Sequence, residues 1–163
     1  DGLTVIIGYT NVGTHYDAWG QLQNGAGGAQ IFKWSESAKK WQQVGADVVA
    51  TATTPGASEE CGMRVAISAD GNSVALLCRG GRRRVVVWDW DGITWSKLGE
   101  EISGPVWTMQ TGTESIDLVG TRGGAQQLRL AVGMNDHRSH KDDDANEWKT
   151  GAVQVLDFRR HAA

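Results

Sequence analysis

The sequence predicts an all-β protein made of antiparallel β-propeller blades, as about three partial copies of a four-stranded unit. Three observations carry this reading. The 163 residues include 22 glycines but only 2 prolines, and short Val, Ile and Leu runs alternate with turn residues, the pattern of an all-β chain with many turns. Asp-Gly pairs at 70–71 and 91–92 sit between alternating apolar runs, a strong hairpin signal. Finally, the chain repeats itself. "WSESAKKWQQVG" (34–45) and "WDGITWSKLG" (90–99) share a Trp, a polar turn, a second Trp, two polar residues, an aliphatic residue and a Gly. Trp34 and Trp90 are 56 residues apart and Gly45 and Gly99 are 54, a period in the range of four-stranded propeller blades.

Each unit is written here as strands a to d. In the first copy (1–60), "LTVIIGY" (3–9) reads as strand b and "GAQIFKW" (28–34) as strand c, followed by the Trp-turn-Trp stretch. The opening Asp1-Gly2 matches Asp70-Gly71 of the second copy, so the first copy is expected to lack strand a, with the chain starting inside a unit. The second copy (61–109) is complete: "MRVAIS" (63–68), an Ala-Asp-Gly turn, 73–78, a short basic loop, 84–90 and "TWSKLG" (94–99). The third (110–163) has "ESIDLVG" (114–120), "LRLAVGM" (128–134) and "AVQVLDF" (152–158), and stops after strand c. The expected total is ten strands. Closed propellers typically have four to eight blades, and open ends leave edge strands unpaired. The expectation is therefore a segment of a larger propeller, or one completed by another chain. The chain opens without an initiator Met or a basic-then-apolar leader, which reads as a mature, trimmed or partial chain.

The stretch "CGMRVAISADGNSVALLCRGG…VVVWDWDGITWSKLG" resembles FG-GAP-like propeller repeats, related to the integrin α-chain head, in the variant of microalgal and bacterial proteins. Cys61-Gly62 stands for the variant's aromatic-Gly pair, Ser68-Ala69-Asp70-Gly71 for its turn, and Val132-Gly133 for the end of strand b. The second copy matches well, the first from its second strand, and the third weakly. Such blades often bind Ca²⁺ through a D-x-D-x-D-G loop. Here the loop offers one carboxylate, Asp70, and "TRGGAQQ" offers none, too few for an ion that takes six to eight oxygens.

Candidate sites lie mostly between the strands. Trp90 and Trp95 flank the "DGIT" turn and are expected to face each other across a hairpin, as are Trp34 and Trp41 across a longer turn. Recurrence makes these scaffold residues. Trp19, Trp107 and Trp148 fall outside the repeat. They are the candidate partner contacts, carried by loops 10–27, 104–113 and 135–150, because repeat folds fix strands and vary loops. Arg79, Arg82, Arg83 and Arg84 crowd a short b–c turn and read as an exposed turn, with contact to an acidic protein surface as the functional alternative. His137, His140 and Asp142 form a weak metal-binding candidate in a loop with nothing to fix its geometry.

If Ser68 lies opposite Gly71, then Ile67 faces Asn72, Val65 faces Val74, Met63 faces Leu76 and Cys61 faces Cys78. The two cysteines then form either a cross-strand disulfide or a pair of buried thiols. A disulfide would place the protein in an extracellular, secretory or organelle-lumen compartment. No nucleophile elbow, phosphate-binding glycine loop or H-E-x-x-H motif occurs. A net charge of -3 favours no partner class, and no apolar run approaches the ~20 residues of a membrane helix. The expectation is a non-enzymatic scaffold for protein partners in a larger assembly. It would have no cofactor, nucleic acid or membrane span. A carbohydrate-binding propeller that uses exposed tryptophans on a glycan is the alternative.

Overall fold

The structure is a computed structural model that describes residues 3–10, 15–16, 22–23, 27–50, 59–79, 83–103, 115–120, 128–137 and 150–158. At 15–16, 22–23, 134–137 and 150–152 it describes the backbone. Among the described residues all regular structure is β, every ladder between the named strands is antiparallel, and no helix occurs.

Strand β1 (Thr4–Tyr9) is followed by a small hairpin, β2 (His15–Tyr16) and β3 (Leu22–Gln23), and then by β4 (Gly28–Ser35), β5 (Lys40–Gln43) and β6 (Val48–Val49). The first sheet runs β1-β4-β5, with β6 continuing along the same side of β4. The second sheet contains β7 (Arg64–Ile67), β8 (Ser73–Cys78), β9 (Arg84–Trp90), β10 (Trp95–Lys97) and β11 (Ile102–Ser103), in the order β7-β8-β9-β10 with β11 also on β9. The third is β12 (Ser115–Val119), β13 (Leu128–His137) and β14 (Thr150–Phe158).

All ten expected strands are present. The four additional ones have simple origins. The β2–β3 hairpin lies inside what reads as the long 10–27 loop. Strands β6 and β11 are the second halves of strand d, which breaks at the same place in two copies. In the first copy Phe32 faces Gln43 and Gly28 faces Val49, so the edge strand carries two more residues than β4 between those pairs. In the second copy Trp88 faces Lys97 and Val85 faces Ile102, with the same excess of two. The excess is accommodated at Gly45 (φ 70°) and Gly99 (φ 71°), left-handed conformations that glycine adopts at little steric cost. Just before each break the aliphatic residue bonds back to strand c: Val44 N–H to Ile31 O and Leu98 N–H to Val87 O, both 2.8 Å.

The first hairpin of the second sheet departs from the expected register by two residues. Val65 faces Leu76 and Ile67 faces Val74, not Val74 and Asn72. The expected Ser68–Gly71 turn exists, since Gly71 N–H donates to Ser68 O at 2.9 Å. The ladder, however, closes one step outward, where Ser68 N–H donates to Ser73 O and the Ser68 hydroxyl accepts from Ser73 N–H, each at 2.9 Å. Asp70 Oδ1 fills the loop by accepting from the Ser68 hydroxyl at 2.6 Å and Asn72 N–H at 3.1 Å. A two-residue slip preserves strand parity, so every side chain keeps its expected face.

The three sheets pack face to face in chain order. Ala29, Ile31 and Val48 of the first sheet meet Val74, Leu76, Val86 and Trp88 of the second. The opposite face of the second sheet, Ala66, Ala75, Leu77, Val85 and Val87, meets Leu118, Leu128, Leu130 and Val132 of the third. Strand β8 is consequently buried at every position, as expected of a strand covered on both faces. Each aliphatic side chain taken fully from water there stabilises the stack by roughly 1.5–3 kcal/mol. Among the described residues each outer sheet packs against another sheet on one face. Val5 and Ile7 of the first, and Val119, Val153 and Val155 of the third, are between 37% and 71% exposed.

Candidate functional site

The tryptophan hairpins form as the sequence predicts. Trp34 faces Trp41 and Trp90 faces Trp95 in the ladders, with ring centroids 5.6 Å and 5.2 Å apart. In the tighter turn, Asp91 Oδ1 accepts from Ile93 N–H at 2.7 Å and Thr94 N–H at 2.8 Å, an Asx turn that leaves Trp90 and Trp95 in register. The two pairs have different surroundings. Trp95 Nε1–H donates to Val44 O of the first sheet at 2.7 Å, and a Cβ on Gly45 would lie 2.5 Å from Trp90 Cζ3. The second pair therefore clamps the strand break of the neighbouring sheet. In the first pair, Trp41 is 45% exposed and Trp34 Nε1–H donates to Glu36 at 2.8 Å. Trp88 is buried between the first two sheets and is a core residue.

The arginine cluster divides. Arg84 does not belong to an exposed patch. It opens β9 beneath the edge of the core, 1% exposed, with Nη2 2.5 Å from Glu59 Oε2 and Nε 3.0 Å from Glu101 Oε2. Its place in an "RRR" run suggested a surface turn, but the strand begins at Arg84 itself and turns that side chain inward. Two carboxylates compensate a charge that would otherwise be expensive to bury. Arg83 is half-buried and Arg79 exposed, while Arg82 lies outside the described residues.

Cys61 and Cys78 are bonded as a disulfide, with an S–S distance of 2.05 Å. They meet although the register does not place them opposite each other. With Val65 facing Leu76, the ladder would put Met63 across from Cys78. The chain leaves the strand at Gly62 (φ 88°), whose N–H donates to Leu77 O at 3.1 Å, and Glu60 (φ 46°) is also left-handed. Cys61 is thereby folded back toward β8 and also forms an isolated parallel bridge with Gly27, just before β4. A Cβ at Gly62 would lie 2.2 Å from Gly28 O, so this close approach of two backbones requires glycine.

Strand β13 runs to His137, opposite Thr150 and past a bulge after Met134, so residues 135–137 and 150 of the expected 135–150 loop belong to strands. His140 and Asp142, like Trp19, Trp107 and Trp148, lie outside the described residues. Among the described residues no three His, Cys, Asp or Glu side chains are grouped to hold a metal, and no helix is long and apolar enough to cross a membrane.

One polar cluster escaped sequence reading. Asp47 accepts from the Tyr9 hydroxyl at 2.9 Å, from Gln43 Nε2 at 2.7 Å and from Gln30 Nε2 at 3.2 Å. Burial, then the hydrogen bond to Asp47 and its charge, push the Tyr9 phenol up to about 12. The cluster pins the outward amides of β4 and β5. With Val5, Ile7 and Trp41 it forms a mixed polar and apolar outer face on the first sheet.

No family model, curated protein or solved structure compared with the chain matches it.

Proposed function

We propose that the protein is a non-enzymatic scaffold for protein–protein contact, a run of FG-GAP-like propeller blades that works within a larger assembly. The observation that carries this reading is the imbalance between the sheets. The middle sheet is covered on both faces, whereas each outer sheet presents aliphatic side chains to water, Ile7 at 53% and Val153 at 71% exposure. Aliphatic side chains exposed side by side on one sheet face suit an interaction site, and the occupant read here is protein. Protein–protein contact also suits the rest of the first outer face, where Gln30 and Gln43 are held in place by Asp47 as a polar complement to an apolar centre. A bonded Cys61–Cys78 pair fits an extracellular, secretory or lumenal setting.

The test is photo-crosslinking in cells that express the chain, with a benzophenone side chain in place of Ile7 or Val155. Attachment to a protein at these positions supports the reading. Recovery of the chain without any attached protein from both positions refutes it.

The exposed Trp41 beside Trp34 supports a second reading, a carbohydrate platform, since an open aromatic face stacks on sugar rings. Binding on a glycan array that disappears in Trp41→Ala would establish it in place of the first.

A further inference from the structure

The two exposed faces are related to one another by the repeat itself. In the alignment of the copies, Val5 and Ile7 of β1 match Val74 and Leu76 of β8, and Phe32 of β4 matches Trp88 of β9. Val74, Leu76 and Trp88 form the face that the second sheet turns toward the first. The first sheet therefore exposes its own version of that face. At the other end, Val153 and Val155 of β14 match Val85 and Val87 of β9. Those residues form the face that the second sheet turns toward the third. The third sheet exposes its own version of that one. The interface is built twice inside the molecule, first sheet to second and second to third, always with unlike faces meeting. The two halves left over at the ends are also unlike, and each is the other's partner in kind.

We infer that the outer face of the third sheet binds the outer face of the first sheet of a second copy, so that chains associate head to tail. This deepens the scaffold reading and rests on it, by naming the occupant of the end faces. The order of the internal interfaces selects this geometry over a two-fold axis running through a single interface, which would bring like faces together. The Trp34–Trp41 pair belongs to the same face. Its counterpart Trp90–Trp95 seats on Val44 and Gly45 of the preceding sheet.

Two charge substitutions test the inference, Ile7→Lys on one face and Val155→Lys on the other. Both positions are solvent-exposed, at 53% and 61%, so each variant is expected to melt like the parent chain. Sedimentation velocity is run over roughly a hundredfold range centred on the micromolar values of weak specific association. The parent chain is expected to gain mass with concentration. Each variant alone keeps one blocked and one intact face of unlike kind and is expected to stay monomeric. Their mixture is expected to form a dimer and nothing larger, because the intact third-sheet face of I7K meets the intact first-sheet face of V155K. This recovery also shows that both variants are folded. A parent chain that stays monomeric overturns the inference, as does a variant that self-associates or a mixture that does not. Crosslinks from positions 7 and 155 to a different protein also overturn it while leaving the scaffold reading intact.

Discussion

The first and second sheets are two versions of one sequence plan placed in different surroundings. Both carry a facing Trp pair, a strand d that breaks at a left-handed glycine, and a return bond from the residue before that glycine to strand c. Their differences follow position in the stack. Val5 and Ile7 are exposed where Val74 and Leu76 are fully buried. Gly28 stands where the second sheet has the ion-paired Arg84, and Tyr9 stands where it has the disulfide-bonded Cys78. Backbone geometry is therefore a property of the repeat, while burial and the special bonds are properties of having neighbours on both sides.

The sharpest way to break this contrast is through Arg84. Removing one partner from a buried ion pair leaves the other charge uncompensated and costs about 3–5 kcal/mol. Arg84→Ala is expected to lower unfolding free energy by that amount in chemical denaturation. Arg129→Ala, which removes the exposed pair with Asp157 in the third sheet, is expected to cost less than about 1 kcal/mol. Equal effects would mean that the middle sheet is not specially buried. Next in size is the disulfide. Joining cysteines 17 residues apart stabilises by about 3 kcal/mol in the chain-entropy account. The Cys61→Ser, Cys78→Ser double variant should lose that much, and the parent chain under reductant should match it.

These two features differ in how far the sequence announces them. The strands were legible because alternation with period two and the Trp-turn-Trp stretches are local signals. Side-chain faces were legible for the same reason, and parity protected them when the Ser68 hydroxyl moved the hairpin register by two residues. Arg84 was not legible. Its carboxylate partners, Glu59 and Glu101, come from distant parts of the chain, and three consecutive arginines look like a surface. Asp47 was hidden in the same way, since Tyr9, Gln30 and Gln43 reach it from three different strands. The order of the stack could not be read either. Strands such as "SVALLC" are apolar on both sides, which predicts that both faces are covered without saying by which sheet.

The paired glycines offer a finer comparison. Gly45 and Gly99 have nearly the same φ, so alanine at either position meets the same backbone cost of about 1–2 kcal/mol for an L-residue in the left-handed region. Only at Gly45 would the new Cβ also meet the neighbouring sheet, 2.5 Å from Trp90 and 2.9 Å from Trp95, whereas at Gly99 it meets nothing within 4 Å. Gly45→Ala is thus expected to cost more than Gly99→Ala by the usual penalty of overpacking, about 1–3 kcal/mol. The difference between the two melts isolates the clamp between sheets from the conformational cost. No difference would mean that the Trp90–Trp95 pair does not seat on the first sheet.

The smallest effect concerns the end of strand b, where the two sheets carry chemically different groups. Cys78 is bonded and does not titrate. Tyr9 does, and folding raises its phenol from 10.0 to about 12. A raised pKa means that the folded state holds this proton more tightly than the unfolded chain. Its contribution is fully present below pH 10 and disappears as the pH rises through 12. Stability of the parent chain should accordingly fall across that window more steeply than that of Tyr9→Phe, which has no proton to lose. Spectrophotometric titration gives the direct reading. The chain has 2 tyrosines, so in Tyr16→Phe the phenolate absorbance belongs to Tyr9 alone. Burial is the largest cause of the shift and the Asp47 bond the next, so Asp47→Asn should lower the midpoint only part of the way toward 10. A midpoint already at 10 in the Tyr16→Phe chain would show that Tyr9 is not held against Asp47, and the first sheet would lose the contact that organises its outer face.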